Sequence, residues 1–446
     1  MDKNLFFVDF FCKLQNSKIG YAVLRNYKDL PNSTGGSDLD IWVERTQYND
    51  FIDILSEISC KHKGQLVSAL LDDPLCPRLI YLGENWGCQF DIHVGVATHR
   101  GVTYIPNNLI LENIINYNGI KVLSQELDSF ISFLKEILNN KTCRIDYCTR
   151  AADLVSHLSD SKRNEYLLAF SPKIRHAIVD LLLKRDFSEK SIAALGMMAS
   201  NDLLSCYDKV KYRFKQLPKL LRLFRQPGYT ICVLGTDGSG KSFIINSLRP
   251  VLNDAFHKGI HYEHMRPNLL PSIAVLTGRK QKNEKTEVCS NPHGSKPSSF
   301  LGSLFRITYY WFDYTYGYFR KVFLDKSIKT HVWIFDRYYY DYIFDPLRGR
   351  ISLPEWILKT YGVFIPVPDL ILCLGGDPKK IYERKPETSL EEVIRQTNEL
   401  RAFCNGNKKA VWIDTTVPPE QSISNAMNAI LEMMKKRFSH VNLKDF

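Results

Sequence analysis

Eight residues, Gly235-Thr236-Asp237-Gly238-Ser239-Gly240-Lys241-Ser242, constrain this chain more than any other stretch. They match G-x4-G-K-[ST], with the apolar run Ile231-Cys232-Val233-Leu234 before them and the helix-like Phe243–Leu248 after them. Strand, glycine-rich turn and helix in that order are what a backbone cradle for phosphate requires. Glycines let successive N–H groups curl around an anion, and the first helical turn adds a favourable dipole. In such a cradle Lys241 reaches the terminal phosphates of a nucleoside triphosphate and Ser242 ligates Mg2+, so ATP and Mg2+ are the expected cofactors. A glycine-rich turn with an incidental lysine is the competing reading, and the flanking strand and helix count against it.

Downstream, Trp333-Ile334-Phe335-Asp336-Arg337-Tyr338 places a carboxylate at the end of a second apolar run. Beside a phosphate cradle, Asp336 holds the metal through water and Arg337 stabilises charge on the phosphoryl group in flight. Taken alone, a strand-terminal Asp is often only a cap. The runs Tyr229–Leu234, Val332–Phe335, Leu370–Leu374 and Val411–Ile413 are short, apolar and bounded by turn residues or charge. That pattern predicts a parallel sheet buried on both faces by helices. Gly278–Ser299 is polar, basic and rich in Ser, Asn and Pro, which predicts a mobile loop. Thr308–Phe323 is crowded with aromatic residues, open to two readings: a wall for a base or sugar, or a helix buried against the sheet.

On these motifs the second half of the chain, about 229–440, resembles the thymidylate kinase family. Asp237 follows the first glycine of the loop, and Asp336-Arg337-Tyr338 matches the family's Asp-Arg-aromatic motif. Pro368-Asp369-Leu370 opens a strand leading through Asp377-Pro378 to Glu383-Arg384-Lys385, like the family's arginine-bearing lid, and Val411–Thr416 looks like its last strand. The resemblance implies kinase chemistry, with Lys241, Asp336, Arg337 and Arg384 catalytic. Three departures bear on the acceptor. Arg384-Lys385-Pro386-Glu387 replaces a glycine-flanked arginine pair, an insert carries His264-Met265-Arg266-Pro267, and Asp345–Arg350 stands where thymine would be read. The pattern looks like that of thymidylate-kinase-like proteins encoded with bacterial surface-polysaccharide genes, so kinase chemistry transfers better than dTMP specificity. A nucleotide, sugar or glycan acceptor is expected. Arg266 and Arg348 either grip its anionic group bidentately or are exposed arginines without a partner.

Near the N-terminus, Gly35-Gly36-Ser37-Asp38-Leu39-Asp40-Ile41-Trp42-Val43 is a turn feeding a strand. Alternation puts Asp38 and Asp40 on one face and Leu39, Ile41 and Val43 on the other. With Asp91 of a second strand-like run, Cys88–Val94, they suit a pair of Mg2+ ions for nucleotidyl transfer. Residues 15–125 resemble the polymerase-β-type nucleotidyltransferase superfamily. The family's Gly-Ser turn, about ten residues before its Asp-x-Asp, is replaced by Leu24-Arg25-Asn26, which puts phosphate binding and activity in question. A solvated Asp-x-Asp at a strand start is the plainer reading.

The chain thus reads as α/β in three parts: an α+β nucleotidyltransferase-like domain (1–125), a helical connector (126–228) and a kinase domain with a parallel sheet (229–446). The net charge of +11 resides beyond residue 125, since residues 1–125 hold 11 Lys and Arg against 14 Asp and Glu. Basicity of that kind suits a phosphorylated substrate or an anionic lipid surface; no nucleic-acid module accompanies it. Peripheral membrane association and homo-oligomerisation are both compatible with the sequence. Eleven cysteines without a CxxC pair predict reduced thiols. Without a signal peptide or a long apolar span, the expected location is cytoplasmic.

Overall fold

The computed structural model describes residues 5–34, 37–215, 217–257, 259–276, 297–438 and 440–444. The loop predicted at Gly278–Ser299 lies outside them up to residue 296. Contacts divide the chain into two units, Met1–Leu221 with Phe438–Phe446, and Arg222–Arg437.

In the first unit, α1 (Leu5–Gln15) leads into β1 (Tyr21–Val23) and β2 (Leu39–Val43), followed by α2 (Tyr48–Lys61). Then come β3 (Gln65–Leu70), β4 (Arg78–Leu82) and β5 (Gly87–Val94), a hairpin of β6 (Ala97–His99) and β7 (Val102–Ile105), and α3 (Asn107–Glu112). The closing strands β8 (Ile114–Tyr117) and β9 (Ile120–Leu123) complete a seven-stranded sheet in the order β3-β4-β5-β2-β1-β9-β8. Alternation along β2 sorts its side chains: Leu39, Ile41 and Val43 join α1 and α2 in one core, and Trp42 faces the other way.

Helices follow: α4 (Gln125–Asn139), α5 (Ile145–His157), α6 (Asp160–Tyr166), α7 (Pro172–Lys184), α8 (Glu189–Leu203) and α9 (Cys206–Lys215). Ser124 caps α4 by accepting from the Leu127 amide. Leu127, Phe130, Ile131, Leu134, Ile137 and Leu138 recur at helical spacing along α4 and pack on Ala22, Leu24 and Trp42 of the sheet. Val155, Ile178 and Leu195 of later helices belong to the same core, so the stretch read as a connector buries its apolar face on the first unit's sheet.

The second unit opens with β10 (Tyr229–Gly235), α10 (Lys241–Ala255), β11 (Ile260–His264) and α11 (Ile273–Leu276). α12 (Phe300–Phe312) runs on through wider helical turns over Asp313–Phe323 and Asp325–Lys329 to β12 (Val332–Asp336). The remainder is α13 (Asp341–Phe344), α14 (Glu355–Val363), β13 (Leu370–Gly375), α15 (Pro378–Arg384), α16 (Leu390–Gly406), β14 (Ala410–Asp414) and α17 (Pro419–Phe438). All five strands are parallel, in the order β11-β12-β10-β13-β14. Every residue of β10, β12 and β13 is buried, as their continuous apolar runs require.

The aromatic segment divides by face. Tyr314 and Tyr318 lie in the core with Trp333, Phe335 and Tyr338, whereas Phe312, Tyr316 and Phe319 are exposed. Asp369, just ahead of β13, takes bonds from Lys326 at 3.0 Å, the Thr230 amide at 2.8 Å and Arg437 at 2.7 Å. It ties the end of α17 to the sheet margin away from the phosphate loop.

Candidate functional site

β10 ends at Gly235 and the loop to α10 follows at once. Gly238 and Gly240 have φ of +80° and +82°, a region open to glycine and strained for other residues. A Cβ on Gly238 would also sit 2.5 Å from the Ile381 carbonyl of α15. Gly240 caps α10, so the helix begins at Lys241 and presents its free amides to the loop.

Lys241 is buried and its ammonium curls back to donate to the carbonyls of Gly235 (2.9 Å) and Thr236 (2.8 Å). Burial, with help from the Arg337 charge, pushes its pKa down to about 7 against the opposing pull of Asp237, Asp336 and Asp341. The hydroxyls of Thr236 and Ser239 are buried with no hydrogen-bond partner among the described residues. Ser242 is exposed at the first turn of α10.

β12 pairs with β10 so that Asp336 stands beside Val233. Its Oδ2 accepts from the Tyr262 hydroxyl at 3.0 Å, and its Oδ1 is buried without a partner among the described residues. Orphaned polar atoms of this kind are satisfied by a water, an ion or a ligand. A carboxylate oxygen, a serine hydroxyl and a backbone cradle are the hard oxygen and amide donors that suit Mg2+ with phosphate.

Arg337 follows with φ of +71° while its amide donates to Val233 O at 2.9 Å. Its guanidinium donates to Asp237 Oδ1 at 2.6 Å and Asp341 Oδ2 at 2.5 Å. Arg348 donates to the other Asp237 oxygen at 2.7 Å. Burial alone would raise the Asp237 pKa, but Arg337, Lys241 and Arg348 outweigh it and hold the carboxyl well below its usual range. One carboxylate therefore clamps two guanidinium groups beside the phosphate loop, and either group can be handed to an anionic ligand.

Arg348 thus has a partner at the site. Arg266 is not the exposed, partnerless arginine of one reading, for it is buried, donates to Asp313 at 2.8 Å and lies 4.6 Å from the Tyr310 ring centroid. Its charge is already answered inside the fold. Arg384 donates to Thr415 O at 2.9 Å and lines a cavity of about 300 Å3 with Gly238, Phe243, Ile244 and Pro419. This mostly apolar hollow lies beside the phosphate loop. Asp341 was missed from sequence, although a carboxylate four residues after Arg337 was the available signal.

In the first unit Asp38, Asp40 and Asp91 do come together, each offering an oxygen within 4.8 Å of the others. Parallel pairing of β2 with β5 sets Asp40 directly beside Asp91. The cluster is also met by cations. Arg25, standing where a Gly-Ser turn was expected, bonds Asp40 and reaches Asp38 at 3.3 Å. Lys135 of α4 bonds Asp40 and lies 3.8 Å from both Asp38 and Asp91. Arg78 donates to both Asp91 oxygens at 2.8 and 3.3 Å, and His93 Nε2 is 3.3 Å from Asp40. Burial and neighbouring Asp40 raise the Asp38 pKa, whereas at Asp40 the charges of Arg25 and Lys135 outweigh burial and keep it ionised. The three carboxylates are largely balanced by the chain's own basic groups.

An all-parallel sheet with helices around it and a glycine-rich phosphate loop at the end of its central strand make the second unit a P-loop α/β fold. Solved structures similar to part of this chain include a thymidylate kinase from Ehrlichia chaffeensis, 13% identical with a TM-score of 0.31, covering 46% of this chain and 100% of that one. Another is a thymidylate kinase from Candida albicans, 16% identical with a TM-score of 0.34, covering 47% of this chain and 93% of that one. Neither a family model nor a curated protein matches the chain. Among the described residues, no helix is long and apolar enough to cross a membrane.

Proposed function

We propose that the second unit is an ATP-dependent phosphotransferase acting on a nucleotide, sugar or glycan acceptor that carries an anionic group. The observation that carries this reading is the Asp237 clamp, two arginines held beside the phosphate loop on a carboxylate that an incoming anion can replace. A protein that only senses ATP has no need of them. The loop Gly235–Ser242 holds the triphosphate, Lys241 neutralises its terminal oxygens, and the hollow lined by Phe243, Ile244 and Arg384 takes the nucleoside. Ser242 and Asp336 would hold Mg2+, which supplies charge neutralisation between the phosphates when bound. Arg337 and Arg348 position the acceptor and answer charge on the transferred group. The region around Asp345–Arg350 sets the acceptor, and dTMP is not the preferred one.

Incubation of the protein with labelled ATP and a panel of nucleotides, sugars and lipid-linked glycans tests this directly. Transfer of label to one member supports it. A coupled assay with dTMP turning over at roughly 1–1000 per second would overturn the acceptor assignment.

A second reading rests on the Asp38–Asp40–Asp91 cluster: a nucleotidyltransferase acting on RNA or protein, with the P-loop unit sensing ATP. A cavity of about 350 Å3 lined by Tyr27, Lys28, Ser37 and Arg150 supports it with room for a ligand next to the cluster. The internal cations around the carboxylates weigh against it, because a metal pair would have to displace them. Label from α-labelled nucleoside triphosphates appearing on RNA or protein would favour this reading over the first.

A further inference from the structure

A cluster of metal-ligating side chains in the second unit has no part in the phosphotransferase reading. His261 lies on β11, His331 sits just ahead of β12, and Asp325 begins the helical turns Asp325–Lys329. One ligand atom from each falls within 4.8 Å of the others. His261 Nε2 and His331 Nδ1 are 2.7 Å apart. Asp325 Oδ2 is 3.9 Å from the first and 3.7 Å from the second.

The fold builds this arrangement from several sides. β11 and β12 pair in parallel with Ile260 beside Val332, which carries both imidazoles to the same end of the sheet. Gly259 leaves space for one of them, because a Cβ there would come within 2.8 Å of the His331 ring. Trp333 stacks on the His261 ring at 4.4 Å and fixes its plane. Lys329 holds the other Asp325 oxygen at 2.8 Å, leaving Oδ2 as the oxygen nearest the rings.

We propose that His261, Asp325 and His331 form a binding site for a zinc-class divalent transition metal, with water as the fourth ligand. Two imidazole nitrogens and one carboxylate are a donor set that zinc accepts, whereas Mg2+ and Ca2+ prefer all-oxygen shells. Bonds of 2.0–2.2 Å in a tetrahedron put ligand atoms roughly 3.3–3.6 Å apart, and the three distances here bracket that value. Binding needs the two ring nitrogens to part by about 0.6 Å and the shared proton to leave or move to the far nitrogen. Side-chain exposures of 37%, 19% and 23% for His261, Asp325 and His331 leave the group open to a solvent ion.

The simpler alternative is a plain N–H···N bond beside a carboxylate, which explains the 2.7 Å contact without a metal. What the metal would add is a brace. β11 is an edge strand, and it carries Tyr262, the hydrogen-bond donor to Asp336. A metal joining β11 to β12 would steady that strand.

The full-length protein, stripped with chelator, should be titrated with Zn2+ by calorimetry and with Co2+ by visible absorption. The expected result is about one Zn2+ per chain and the intense d–d bands of tetrahedral Co2+ without a thiolate charge-transfer band. Loss of an outer-shell partner alone costs roughly 10–100-fold in affinity, so His261→Ala or His331→Ala should cost at least about 100-fold. His176→Ala, a surface histidine elsewhere, should change nothing. No Zn2+ uptake, an octahedral Co2+ spectrum, a thiolate band, or equal affinity in the His261 and His331 variants would each overturn the site. Should those variants not fold, the wild-type Co2+ spectrum decides by itself.

Discussion

Asp237 and Arg337 meet at 2.6 Å although 100 residues separate them in the chain. Two parallel strands make the meeting inevitable: β10 delivers the loop that carries Asp237, and β12 ends one residue before Arg337. The positive φ of Arg337 belongs to the sharp turn it makes on leaving the strand, where its side chain meets the loop. Because both partners are largely buried, each answers a charge that would otherwise be costly to hold away from water.

Asp237→Asn should therefore destabilise the second unit. Arg337 keeps Asp341, while Arg348 loses its side-chain carboxylate partner. Breaking a buried pair costs roughly 3–5 kcal/mol, and the retained Asp341 contact sets the expectation near the lower end, about 3 kcal/mol. For a unit of this size that lowers the melting temperature by about 6–12 °C. Millimolar phosphate should recover part of the loss by sitting between the two guanidinium groups. A melting curve unchanged by the substitution would show that the clamp contributes nothing.

Lys241→Ala should leave the fold intact and weaken Mg·ATP binding. The ammonium's partners in the free protein are two loop carbonyls and, at 3.8 Å, Asp237, which keeps Arg337 and Arg348 when the lysine is removed. Charge-assisted hydrogen bonds contribute about 1.5–3 kcal/mol each, so an affinity loss of roughly 10–150-fold is expected for one such bond. Calorimetry on the variant reads this, with circular dichroism as the check on folding. Wild-type affinity would sink the assignment of the phosphate loop.

ATP binding should also take up a proton. Lys241 has a folded-state pKa of about 7, below the ordinary lysine value of 10.5, so at pH 8 most of it is neutral in the free protein. Triphosphate favours the charged form and raises that pKa, so the complex holds more protons than its parts. Affinity should fall as pH rises through about 7 towards 9. The same depression means folding releases a proton between about 7 and 10.5, and stability contributed by this group rises with pH across that window. Calorimetry at pH 8 in two buffers of different ionisation enthalpy measures the uptake, and a heat independent of buffer would refute it.

Much of this was readable from the chain because buried parallel strands and phosphate loops have strong local signatures. β10, β12, β13 and β14 are short apolar runs ended by turn residues, and the Gly235–Ser242 motif names its own neighbours. β11 was not readable, since an edge strand with His261 and Glu263 among its five residues has no apolar run. Tertiary partnerships were equally hidden. Nothing local to Arg266 announces Asp313, 47 residues away, and nothing near Asp40 announces Lys135, 95 residues away. Asp38, Asp40 and Asp91 could be read as an acidic group from strand alternation, but not the cations that answer them.

The last prediction turns on those cations. Asp38→Asn with Asp40→Asn removes two of the three carboxylates that hold Arg25 and Lys135. Of the ion pairs within 4.0 Å among the described residues, Arg25 would keep Glu136 at 3.9 Å and Lys135 would keep Asp91 at 3.8 Å. Both side chains are largely buried, so the first unit should lose at least about 3 kcal/mol of stability. The second unit carries its own phosphate loop and its own Asp336, and ATP affinity should stay within about twofold of wild type. A chain spanning 222–437 should bind ATP with the same affinity, since the whole five-stranded sheet lies inside it. Thermal unfolding followed with and without ATP separates the outcomes: the double variant should lower a transition that ATP does not shift. If ATP affinity instead collapses in the double variant or in the shorter chain, the nucleotide is held by both units and the assignment of ATP to the second unit alone is wrong.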